Sequence, residues 1–153
     1  MILSDNELKE IFRLSRDLSR VSRLFQQENI HCGGLTFQQF TILDFVRENG
    51  KGLELSKLHD LLAVEKSTTT RLIQPLIKKK FLQKKASPSD PRAFQLFITR
   101  AGEGAYGFYW DCLAKNIQNI GERVPRRKLE EIKSSLRLYV SAIGGLCGDR
   151  CCL

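Results

Sequence analysis

Two short amphipathic stretches joined by a tight turn, followed at once by a basic hairpin with prolines at its tip, constrain this chain more than any other feature. Leu55, Leu58, Leu61 and Leu62 recur at helical spacing and mark a short helix. Ala63-Val64-Glu65-Lys66 reads as a tight turn, and residues Ser67 to Lys80 as a second helix with Leu72, Ile73, Leu76 and Ile77 on its inner face. Pro75 lies inside that second helix, where it removes one backbone hydrogen bond and predicts a local kink, not a break. Phe81-Leu82-Gln83-Lys84-Lys85 and Phe94-Gln95-Leu96-Phe97-Ile98 are strand-like. They flank Ser87-Pro88-Ser89-Asp90-Pro91-Arg92, a turn-rich link, so they are expected to pair as a hairpin.

The flanking sequence is seamed for helix packing. From Asp5 to Gln27, Ile11, Leu14, Leu18, Val21 and Phe25 are spaced three, four, three, four. His31-Cys32-Gly33-Gly34 breaks that helix. Thr36 with Gln39 three residues on then forms a capping box for a helix through Phe37, Phe40, Leu43 and Val46, closed by Asn49-Gly50. Thr99 caps a long helix carrying Tyr106, Trp110, Leu113, Ile117, Ile120 and Val124, and Pro125 opens a last one with Leu129, Ile132, Leu136, Tyr139 and Ile143. A single compact domain of 153 residues has too little other surface to cover three such seams, so a homodimer built from both termini is expected.

Lysine and arginine number 25 against 17 acids, a formal charge of +8, which suits a polyanionic partner such as nucleic acid or an anionic membrane surface. No apolar run approaches the ~20 residues that span a bilayer, and Met1-Ile2-Leu3-Ser4-Asp5-Asn6-Glu7 lacks the features of a signal peptide, so no membrane role and a cytoplasmic location are expected. The five cysteines, Cys32, Cys112, Cys147, Cys151 and Cys152, are odd in number and unevenly spread, which is no secreted disulfide framework. No phosphate-binding loop, dinucleotide fingerprint or catalytic serine motif occurs. His31 beside Cys32 has no carboxylate to orient it. The chain is not read as an enzyme, and no cofactor is required.

The order of elements and several short motifs over about residues 8 to 143 resemble the MarR (multiple antibiotic resistance regulator) family. The resemblance is carried by Leu35-Thr36-Phe37-Gln38-Gln39-Phe40, Leu55-Ser56-Lys57-Leu58, Lys66-Ser67-Thr68-Thr69-Thr70-Arg71-Leu72, Asp90-Pro91-Arg92-Ala93 and Ile98-Thr99-Arg100-Ala101-Gly102. It implies a mainly α fold with a small β-wing. A winged helix-turn-helix at residues 35–99 would lie between an N-terminal dimerisation helix, 1–34, and C-terminal dimerisation helices, 100–146, with a Cys-rich tail at 147–153. It also implies a dimeric transcriptional regulator that binds a pseudo-palindromic double-stranded operator, acts as a repressor and answers to small aromatic or lipophilic effectors.

On the residues themselves, Ser67, Thr68, Thr70 and Arg71 lie off the apolar stripe of their helix, where they would meet base edges and phosphates; alone, such a cluster reads as a helix cap. Arg92, on a loop preorganised by Pro88 and Pro91, suits a minor groove, while Asp90 would orient it or cap the turn. Pro91 stands where the family commonly has a second arginine. Lys78, Lys79, Lys80, Lys84 and Lys85 are candidates for phosphate contact, and Arg13, Arg16, Arg20 and Arg23 read as a solvated helix face. Phe12, Phe40, Tyr106 and Trp110 are candidates to line an effector cleft, with simple core as the bland alternative. Cys147, Cys151 and Cys152 could oxidise or hold a thiophilic metal, or be incidental; they do not form a zinc pattern. Two other readings are a thiol or soft-metal-binding protein and a winged-helix protein-interaction module without DNA binding.

Overall fold

The computed structural model describes residues 2–23, 34–88, 90 and 92–148. They fall into two compact units, residues 1–110 and 111–153. In chain order the elements are α1 (Asp5–Ser22), α2 (Phe37–Asn49), β1 (Leu53–Glu54), α3 (Leu55–Leu62), α4 (Lys66–Lys78), β2 (Leu82–Ala86), β3 (Phe94–Ile98), α5 (Arg100–Glu122) and α6 (Leu129–Gly148). The fold is mainly helical with one small antiparallel sheet, as the sequence implied.

The core of the first unit forms where α2, α3, α4 and the sheet meet. Leu43 and Val46 of α2, Leu58 of α3, Leu76 of α4, Leu82 of β2 and Leu96 of β3 are all buried there. The capping box at α2 is present, with Gln39 N–H donating to Thr36 Oγ1 and Thr36 N–H donating to Gln39 Oε1, each at 3.2 Å. It satisfies two backbone donors at a helix end that is partly buried. A second box, Ser4 with Glu7, starts α1 and was not recognised in the sequence. The carboxylate that accepts from Ser4 holds Glu7 below its ordinary pKa. Gln27 and Phe25, expected in the first helix, lie outside the described residues.

Three local features differ from the sequence reading. The sheet has a third strand, β1, which pairs with β3 in the order β1-β3-β2. Leu53 opposes Leu96, so two residues suffice to close the buried face, and two residues show no periodicity to read. The hairpin strand runs over Leu82–Ala86, one residue later than expected, because Leu82 rather than Phe81 opposes Ile98. The second helix ends at Lys78 instead of Lys80. Phe81 N–H donates to Leu76 O and Lys80 N–H to Ile77 O, the two bonds of a Schellman ending, with Lys80 left-handed at φ 59°. Glycine normally fills that place, so its absence hid the helix end, and a lysine there costs roughly 1–2 kcal/mol. The helix itself begins at Lys66 and continues through Pro75.

α5 is capped as expected: Gly102 N–H donates to Thr99 Oγ1 at 3.0 Å. The same hydroxyl donates to Lys80 O at 2.6 Å, and Thr99 N–H donates to Phe81 O, so the end of α4, the start of the wing and the start of α5 share one hydrogen-bonded corner. Gly102 allows it, since a Cβ there would lie 2.2 Å from the Phe81 carbonyl oxygen. In the second unit, Pro125 precedes a 3-10 turn at Arg126–Lys128 before α6 begins. Not one of residues 111–144 is buried.

Candidate nucleic-acid interface

α3 and α4 are joined through Ala63, which is left-handed at φ 49° and donates its N–H to Asp60 O. The turn sets α4 against α2 and α3 with Thr69, Ile73 and Leu76 inward. Thr69 is 0% exposed, so the helix is fixed in rotation and its opposite face is committed to solvent. That face carries Ser67, Thr70, Arg71, Gln74 and Lys78, all exposed, at spacings of three, one, three and four. Thr68 is half-buried at its flank. From Ser67 to Lys78 the stripe runs about 16 Å along the helix axis, and a B-DNA major groove is about 12 Å wide.

The hydroxyls are not the cap of this helix. The residue at the cap position is Glu65, which makes no side-chain capping bond, and Thr70 Oγ1 donates backwards to Lys66 O at 3.1 Å. Gln74 escaped the sequence reading, although it stands seven residues, two helical turns, beyond Ser67. A side-chain amide is a donor and an acceptor at once, which suits an adenine edge.

β2 and β3 pair from Leu82 with Ile98 to Ala86 with Phe94. At the tip, Asp90 Oδ1 accepts from Arg92 N–H at 2.8 Å, Ala93 N–H donates to Asp90 O, and Ser87 N–H donates to Ala93 O. Of the two roles open to Asp90, the geometry shows it holding the turn through the backbone of Arg92. Arg92 is exposed; Ser89 and Pro91 lie outside the described residues. The Lys84 ammonium sits 3.8 Å from the centre of the Phe94 ring and that of Lys85 5.0 Å from Phe97. These aromatic faces hold the two cations along the hairpin. Lys79 instead donates to Gly34 O, tying α4 to the start of α2.

Of the four aromatics expected to line an effector cleft, two meet and two stand apart. Phe40 is 4% exposed and stacks on Tyr106 and Tyr109, with ring centroids at 5.0 and 4.5 Å. Tyr109 was missed in the sequence because it lies off the seam. Tyr106 donates its hydroxyl to Asp44 at 2.8 Å and lies under the Arg47 guanidinium, which donates to Glu103 at 3.1 Å. Burial, then the Asp44 hydrogen bond, raise the Tyr106 pKa, and Glu103 raises that of Arg47. Phe12 is 66% exposed and Trp110 46%. The space around Phe40 is filled by the protein's own rings.

Among the described residues no group of three or more metal-ligating side chains converges. Cys112 is a free, half-buried thiol. Cys147 falls in the last turn of α6, and Cys151 and Cys152 lie outside the described residues, as do His31 and Cys32. No helix among the described residues is long and apolar enough to cross a membrane.

Residues 35–94, from the start of α2 to the first residue of β3, match the model of the MarR family. The chain is 25% identical over 122 residues to the HTH-type transcriptional regulator BilQ of Clostridioides difficile, covering 80% of this chain and 82% of that protein. A MarR protein from Peptoclostridium difficile has a similar structure, with a TM-score of 0.68 and 26% identity over 95% of this chain and 93% of its own. A MarR mutant from E. coli, complexed with operator DNA, superposes with a TM-score of 0.70 at 18% identity, covering 85% of this chain and 95% of that one. At that identity the likeness is one of fold.

Proposed function

We propose that this chain, which residues 35–94 make a member of the MarR family, is a dimeric transcriptional regulator that reads double-stranded DNA with the outer face of α4 and the tip of the wing. The observation that carries the reading is the inward lock of Thr69, Ile73 and Leu76, which leaves Ser67, Thr70, Arg71, Gln74 and Lys78 as a continuous polar and cationic stripe. A helix presented this way offers hydroxyl, amide and guanidinium groups to base edges, with Thr68 at the flank. Arg92, on a turn held by Asp90, and Lys84, held against Phe94, supply the cations that a minor groove and the phosphates call for.

A homodimer places two such helices in successive major grooves, roughly 34–36 Å apart, on a pseudo-palindromic operator. Because a rigid pair of heads matches one half-site separation, an effector that alters the separation releases the DNA, and a promoter covered by the dimer is repressed until then. The place of action is the cytoplasm.

The test is selection of bound fragments from genomic DNA by the purified full chain, followed by salt titrations on the fragment recovered. Arg71→Ala is expected to weaken binding by about 1–3 kcal/mol and to relax the sequence preference. Arg92→Ala is expected to weaken it while leaving the thermal melt unchanged. Recovery of no enriched fragment, or normal affinity in both variants, refutes the assignment.

A further inference from the structure

We propose that a groove at the root of the wing binds a small organic anion with an apolar body, and that Lys80 and Arg100 hold its acidic group. The groove measures about 520 Å³, within the range of small-molecule sites. It lies where the end of α4, the strand β2 and the start of α5 meet. Four of its nine lining residues are basic and none is acidic. Ile77, Leu82 and Ala101 supply apolar wall.

The cations divide into two pairs. The ammonium groups of Lys84 and Lys85 rest over Phe94 and Phe97, rings that do not line the groove. Lys80 and Arg100 have no ion-pair partner among the described residues. The Thr99 hydroxyl is engaged with Lys80 O and Gly102 N–H, so it is not a ligand group. It does something else: it pins the backbone of Lys80 to the residue next to Arg100, fixing the roots of the two cationic side chains on one frame. Two cations rooted this way can converge on one carboxylate, sulfonate or phosphate.

Lys80 gives the second line of argument. It occupies the left-handed position of the Schellman ending, at φ 59°, where glycine is the unstrained choice. Backbone strain held at one residue points to a use for its side chain. A phosphodiester backbone needs cations on a convex surface, whereas an apolar concavity between cations fits an amphipathic small molecule. The proposal rests on the regulator reading in one respect: an occupant would neutralise Lys80, beside Lys78 and Lys84, and so weaken DNA binding.

The probe is 8-anilinonaphthalene-1-sulfonate, titrated by fluorescence against the full chain, with neutral N-phenyl-1-naphthylamine as the uncharged control. One saturable sulfonate site per chain is expected, tighter than the neutral dye. Lys80→Gly and Arg100→Gln should each weaken the sulfonate by about tenfold or more, the loss of one charge-assisted hydrogen bond. Lys80→Gly relieves the left-handed strain, so it should melt no lower than the parent while losing the probe, a combination that unfolding cannot produce. A smaller loss in either variant, or equal affinity for the neutral dye, overturns the proposal. DNA affinity is measured on the same samples without probe. Absence of DNA binding with the sulfonate site intact would refute the regulator and leave the groove standing; intact DNA binding with no sulfonate site would do the reverse.

Discussion

Tyr106 joins three elements of chemistry at one side chain. Its ring stacks on Phe40, its hydroxyl is bonded to Asp44, and the Arg47 guanidinium covers its outer face. Removing the hydroxyl in Tyr106→Phe should cost about 1 kcal/mol of stability at neutral pH, read by urea denaturation, since the Asp44 carboxylate loses its donor. The pH dependence has a definite sign. The folded pKa of Tyr106 lies above its unfolded value near 10, so its contribution is complete below pH ~10 and is lost as pH rises through the folded pKa. The Phe variant should therefore show a shallower alkaline loss than the parent; parallel curves would contradict the assignment. The Tyr106–Asp44 bond spans 62 residues and neither partner advertises the other, so it was not legible in the sequence. Ser67, Thr70 and Arg71 were, because helical periodicity fixes which side of a helix faces out once the apolar positions are known.

At the level of elements, what could be read was whatever carries a period or a cap. α2 was foreseen to the residue at its start because Thr36 and Gln39 make a reciprocal box. Thr36→Ala should lower stability by about 1 kcal/mol, measured as a shift in denaturation midpoint with unchanged slope. β1 could not be foreseen, since Leu53 and Glu54 gain their identity as a strand only from Leu96 and Gln95 opposite. The end of α4 could not be foreseen either: Lys80 does a glycine's work there. The wing was legible as a hairpin from its two prolines and flanking strands, while the role of Asp90 needed the geometry to decide between its two options.

On the scale of the whole molecule, the apolar seams at both ends of the chain are uncovered. Ile11, Leu14, Leu18 and Val21 of α1 are exposed, and in the second unit Ile132, Leu136 and Ile143 of α6 are too, with Leu138 73% exposed. Rows of this kind on a chain of net charge +8 call for a partner of the same composition. Leu136→Arg is expected to convert the dimer to monomers in sedimentation velocity and to reduce operator affinity with it; an unchanged sedimentation coefficient would exclude α6 from the interface. The stability of the molecule is also unevenly distributed. Pro75 has no N–H, so the Arg71 carbonyl lacks its usual helical donor, in the middle of the very helix assigned to DNA. That helix is thus kept by the burial of Thr69, Ile73 and Leu76 more than by its own backbone ladder. Its amides should exchange with deuterium sooner than those of α2, and a bound duplex should slow them most, so that part of the recognition energy goes into quieting the reader itself.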